Sequence, residues 1–134
     1  MLNKLDKEFY FNKCVLNLRS YRQELLASNI ANSDTPNYQP LDIDFSKALN
    51  ELLKKNDKQP QFQLTLTSKK HIPITQHKKL ESYEEMIAKK YIIKKDKINM
   101  DVEKVNFINN SLLYQMDIIF INNKFKNLTN VLKG

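Results

Sequence analysis

The stretch ASNIANSDTPNYQ, residues 27–39, closes a long helical pattern with three asparagines and a Ser-Asp-Thr-Pro run. Thr35 precedes Pro36, which pushes Thr35 out of the α region, and Pro40 follows at the far end. Asn29, Asn32, Ser33 and Asp34 carry short polar side chains that can bond nearby backbone groups. Asn37 occupies the third position of a Thr-Pro-Asn-Tyr turn, where asparagine tolerates a positive φ. Such a segment ends a helix and sets the direction in which the chain leaves it. Its side-chain amides can also bridge to a neighbouring molecule. Residues 34–44 are therefore read as a polar joint.

Upstream of the joint, residues 5–31 contain neither Pro nor Gly. Phe11, Leu18 and Leu25 recur every seven residues, with Cys14, Tyr21 and Ser28 three places after each, which is an a/d pattern. A second row, Val15 and Leu26 with Phe9 and Leu16 beside them, widens the apolar stripe. One helix, roughly 40 Å long at about 1.5 Å per residue, is expected to touch more than one neighbour.

The far end of the chain mirrors the near end. Met100, Phe107, Tyr114, Ile121 and Leu128 fall at strict sevens, Ile118, Phe125 and Leu132 fill companion positions, and Val105, Leu112 and Ile119 form a further row. Asp101 and Glu103 suit a helix start through the helix dipole, and Lys124, Lys126 and Lys133 suit its end. The expected fold is mainly α. Two long helices, within residues 1–33 and 99–134 and each with heptad-like rows, are its skeleton. A short variable region, residues 45–98, lies between.

Within that region, Phe45, Ala48, Leu49, Leu52 and Leu53 follow helical spacing, and Asp42 and Asp44 are both read as capping residues. Residues 54–61 read as a polar linker, FQLTLT (residues 62–67) as a strand, and the segment around Pro73 as extended. YEEMIAKKYIIKK, residues 83–95, suits a helical turn or two.

The single glycine is Gly134, so hairpin-rich barrels, P-loops and dinucleotide folds are disfavoured together. One cysteine forbids an internal disulfide. No apolar run approaches the roughly 18 residues of a membrane span, and the first residues lack the apolar core of a signal peptide. The net charge of +7 is concentrated in residues 54–97. That block offers an alternative reading, a basic helical nucleic-acid-binding protein. Only Arg19 and Arg22 are arginines and both lie outside the block, so nucleic acid is not expected as a partner.

Candidate chemistry is sparse. Asp42 and Asp44 lack further ligands for a metal, His71 and His77 lack a third ligand, and Cys14 sits on the heptad row as a small buried hydrophobe. No nucleophile elbow, kinase motif or Gly-rich loop is present. Neither catalysis, cofactor nor metal is expected.

Residues 27–38 resemble the N-terminal signature of the bacterial flagellar rod, hook and hook–filament junction proteins, A-x-N-I-A-N-x-x-T-P-G-Y, with Asn37 in place of glycine. The continuations DIDFSKAL, LTSKKH (Thr67 to His71 within it) and MDVEKVNFINNSLLYQ are similar to the proximal-rod members of that group. The resemblance implies a structural rod subunit of the basal body whose N- and C-terminal helices, residues 1–33 and 99–134, pair as an antiparallel, coiled-coil-like core domain and which polymerises through those helices. It would link the membrane ring and motor to the distal rod and hook, for torque transmission and motility. It implies as partners other copies, other rod subunits, adaptor proteins at the rod base and the type III export apparatus, with the subunit exported to the periplasmic rod without a cleaved signal peptide. Phe11, Leu18, Leu25, Ile118, Ile121, Phe125 and Leu128 are assigned to the helix pair and its neighbours. Asn29, Asn32, Thr35, Pro36 and Tyr38 are assigned to the joint.

Overall fold

The two terminal heptad patterns become the two longest elements of a computed structural model, which describes residues 2–56 and 83–133. In chain order the elements are α1 (Leu2–Ala31), β1 (Leu41–Ile43), α2 (Phe45–Asn56), α3 (Tyr83–Lys90), β2 (Ile92–Lys94) and α4 (Met100–Lys133). The strand expected at residues 62–67, the two histidines and much of the basic block lie outside the described residues.

Helices α1 and α4 run antiparallel. Glu8 meets Lys124, Phe9 stacks on Phe125 with ring centroids 4.3 Å apart, Arg19 meets Asp117, and Asn29 meets Glu103. Partner numbers fall along α4 as they rise along α1. The heptad row of α1 has a different use from the one the coiled-coil reading gave it. Cys14 and Leu18 are buried with Ile43, Ala48, Leu52, Ile87 and Ala88, and Phe11, Tyr21 and Leu25 pack around them. That row therefore serves the core formed with α2, α3 and β1, leaving another face of α1 for α4. Full burial of a Leu18-sized side chain contributes about 1.5–3 kcal/mol.

Strands β1 and β2 pair antiparallel, with Asp42 opposite Ile93. The pairing continues past the strand ends, since the Lys95 amide donates to the Pro40 carbonyl at 2.9 Å and the Asp44 amide to the Tyr91 carbonyl at 2.9 Å. α2 and α3 are linked by Glu51, which accepts from Lys90 at 3.0 Å and from the Tyr91 hydroxyl.

One of the two capping assignments is corrected. Asp44 caps α2, accepting from the Lys47 amide at 3.1 Å, but Asp42 lies inside β1 and is buried against basic side chains. Only Asp44 is close enough in sequence to reach the free amides of the first turn. At α4 the cap is Asn99, whose Oδ1 accepts from the Asp101 and Val102 amides at 3.1 and 3.4 Å. Asp101 and Glu103 both stand in the first turn of α4, where the dipole favours them, and Glu103 has a further part. It is 1% exposed and points into the joint.

Candidate functional site: the joint between the terminal helices

The joint is built around Asn29, in the last full turn of α1. Its Nδ2 donates to the Leu41 carbonyl at 2.8 Å and to Glu103 Oε2 at 3.0 Å. Its Oδ1 accepts from the Leu41 amide at 3.1 Å and from the Tyr38 hydroxyl at 3.2 Å. Two donors and two acceptor sites are the full capacity of a side-chain amide, so this fully buried group is satisfied. A single side chain thus ties α1 to the strand that follows the joint and to the start of α4.

Around it the chain turns twice. The Thr35 amide donates to the Asn32 carbonyl at 3.0 Å, and the Tyr38 amide to the Thr35 carbonyl at 3.3 Å. The second turn holds Asn37 at φ 60°, the left-handed conformation read from its place after Pro36. Asn32 donates to the Ser28 carbonyl at 2.9 Å and accepts from Thr35 Oγ1 at 3.3 Å, so its bonds stay within the turn. Ser28 Oγ and the Tyr38 hydroxyl lie 2.9 Å apart. Thr35 and Pro36 are exposed, and Tyr38 is half-buried.

A charged cluster completes the site. Arg22 makes a two-pronged contact with Asp42 at 2.8 and 3.1 Å, and Lys95 reaches both Asp42, at 3.2 Å, and Glu103, at 2.6 Å. Burial raises the Asp42 pKa, but the Arg22 bond, the Ile43 amide and the charges of Arg22 and Lys95 outweigh it and hold the carboxyl below its ordinary range. The polar groups therefore form one connected path from α1 through β1 and Lys95, the residue after β2, to α4. Such an arrangement fixes the relative placement of four elements. Among the described residues no group of three or more His, Cys, Asp or Glu side chains is placed to hold a metal.

The flagella basal body rod protein family matches residues 16–39, which are the second half of α1 and both turns of the joint. The similarity extends far beyond that window. A flagellar basal body rod protein FlgB from Buchnera aphidicola subsp. Baizongia pistaciae is 47% identical, with 100% of both chains covered. The FlgB proteins of Escherichia coli K12 and Salmonella typhimurium are 39% and 38% identical, each over 100% of this chain and 99% of the relative. The chain belongs to the FlgB family of flagellar basal body rod proteins. It is a structural subunit of the flagellar basal body rod, and it assembles with other rod components. Nothing in these likenesses supports the nucleic-acid reading.

Within this rod-family chain, the residues assigned from the sequence separate into three groups. Leu18 is buried and Phe11 and Leu25 flank it in the core, while Asn29, Asn32, Thr35, Pro36 and Tyr38 come together in the joint. Ile118, Ile121 and Leu128 are half-buried along α4, and Phe125 stacks on Phe9 while remaining half exposed. Sequence reasoning missed Arg22, Asp42, Lys95 and Glu103 as a cluster. It also missed Glu84, whose Oε1 accepts the Cys14 thiol at 3.1 Å and joins α3 to α1. The heptad phase held one usable signal: Glu103 stands seven residues before Asn110 and fourteen before Asp117, in a single row.

Proposed function

We propose that the rod subunit polymerises through the face of α4 that points away from α1, and that the joint fixes the direction of the chain between the helix pair and the α2–α3 layer. The supporting observation is the composition of that face. Val105, Ile108, Leu112, Met116, Ile119 and Phe120 lie on the side of α4 opposite Glu103, Asn110 and Ile121, and each is more than half exposed. From residue 105 to residue 123 the only charge on α4 is Asp117, and Arg19 pairs with it. A run of that length whose single charge is paired on the α1 side is suited to burial, because an exposed apolar surface of this kind marks an interaction site. α1 offers no comparable surface, since Lys13, Asn17, Ser20 and Glu24 are exposed along it. A contact made by one face against a different face of the next copy does not close, and it builds a helical array.

In this reading the subunits form the proximal rod, between the membrane ring and the distal rod and hook, and transmit torque. The partners are further copies, other rod subunits, adaptor proteins at the rod base and the flagellar type III export apparatus that delivers the chain. The role is structural, with no reaction assigned to it. Leu112→Lys combined with Met116→Lys tests it in cells lacking the native protein. The expected result is a helical, exported subunit that leaves cells without assembled rods and non-motile. Normal rods and swimming with both lysines present would contradict the reading.

A further inference from the structure

On α4 Phe107, Tyr114, Ile121 and Leu128 repeat every seven residues, and on α1 Phe9, Leu16 and Ile30 fall at steps of seven with Gln23 between, so sliding one helix past the other by a heptad sets largely apolar rows level again. Packing alone does not choose between these registers. Glu103, Asn110, Asp117 and Lys124 occupy a single row of α4, also at strict sevens, and every one bonds α1. Glu103 accepts from Asn29 at 3.0 Å, Asn110 donates to Gln23 at 2.6 Å and to the Arg19 carbonyl at 2.9 Å, Asp117 pairs with Arg19 at 2.5 Å, and Lys124 pairs with Glu8 at 2.6 Å. Each rung has a different chemistry.

We propose that this row is an address that selects the register of α4 on α1. In the native register all four rungs are complementary. Slid one heptad one way, Asp117 comes level with Glu8, and carboxylate faces carboxylate. Slid the other way, Lys124 comes level with Val15, one helical turn from Arg19, and two cations approach each other. Asn110 is a buried polar residue in a seam position that an apolar side chain could fill, and among the described residues its Oδ1 has no hydrogen-bond partner. A polar residue at such a position favours one pairing at a cost in stability. The inference is independent of how copies meet, because it concerns contacts within one chain.

The test exchanges two rungs and reads the register directly. In full-length chain carrying Cys14→Ser, the pair Phe9→Cys with Phe125→Cys reports the native register. Phe9→Cys with Ile118→Cys, or with Leu132→Cys, reports a slide by one heptad either way. Asp117→Lys with Lys124→Asp should lower formation of the native disulfide by about fivefold or more and raise one of the slid ones. Adding Arg19→Asp and Glu8→Lys restores both rungs with reversed signs and should restore the native disulfide. An exchanged chain that still forms the native disulfide overturns the proposal. So does a chain whose helical signal or native disulfide is lost on exchange and not regained in the four-site variant.

Discussion

Asn29 meets the backbone of Leu41 the way a neighbouring strand would, donating to its carbonyl at 2.8 Å and accepting from its amide at 3.1 Å. The helix thereby supplies strand-like pairing beyond the first residue of a three-residue strand. The same amide holds Tyr38 and Glu103, so its loss removes a partner from four polar groups at once, two of them on the Leu41 backbone. Asn29→Ala is predicted to destabilise the chain by about 2–3 kcal/mol in urea unfolding. Asn32→Ala, whose bonds are local and half-exposed, should cost about 1 kcal/mol or less. Equal losses for the two variants would show that the joint has no central residue.

At Asn37 the backbone sets its own test. With φ at 60°, a residue branched at Cβ meets a steric penalty that asparagine and glycine largely avoid. Asn37→Val should cost about 1–2 kcal/mol, and Asn37→Gly should be neutral to within about 0.5 kcal/mol. Tolerance of valine with an unchanged midpoint would mean that the turn adapts instead of directing the chain.

Cys14 gives a prediction in alkaline solution. Burial, followed by the bond and the charge of Glu84, pushes its thiol from 9.0 up to about 12. The folded chain therefore holds a proton that the unfolded chain has released between those values. Its contribution is complete below pH 9.0 and declines as pH rises towards about 12, by about 1.4 kcal/mol per unit at most. Cys14→Ala should lack that decline relative to the parent. Thiol reagents at neutral pH should label Cys14 only on unfolding, and rapid labelling of the native chain would count against the buried pairing.

Asp42 behaves in the opposite sense. Its burial is outweighed by Arg22, the Ile43 amide and Lys95, so its folded pKa lies below the ordinary 3.8. The contribution is present above that value and is lost as pH falls through the folded pKa. Asp42→Asn should be less stable at neutral pH, and its stability should vary less with pH below about 4 than that of the parent. Parallel acid titrations of the two chains would show that the carboxylate contributes little.

The helices were legible because their signal is local and repeated. Phe11, Leu18 and Leu25, and Phe107, Tyr114 and Ile121, state their period within about four turns. The turn at Asn37 was legible too, because Pro36 fixes its own φ and restricts Thr35, and asparagine tolerates a positive φ at the position that follows. What stayed hidden depends on distant partners. Asp42 stands two places before the capping Asp44 and looks the same in sequence, yet its partners Arg22 and Lys95 come from α1 and from the residue that follows β2. Three-residue strands are too short to show an alternation, so β1 passed as loop. Glu103 resembles any acidic residue in a first helical turn until Asn29 and Lys95 are seen to enclose it. The heptad row of α1 showed that it would be buried, but not that α2 and α3 would be what covers it.

The outward face of α4 carries the account of assembly, and one measurement addresses it without altering the seam or the joint. A photo-reactive phenylalanine analogue replaces Leu112, which is 55% exposed, and a second chain carries it at Asn17 on the polar outer face of α1. Purified basal bodies are irradiated and the adducts identified by mass spectrometry. The account predicts that position 112 cross-links to apolar segments of neighbouring rod subunits in most molecules, and that position 17 does so far less. Adducts from 112 confined to its own chain or to solvent, in basal bodies that contain the subunit, would contradict it.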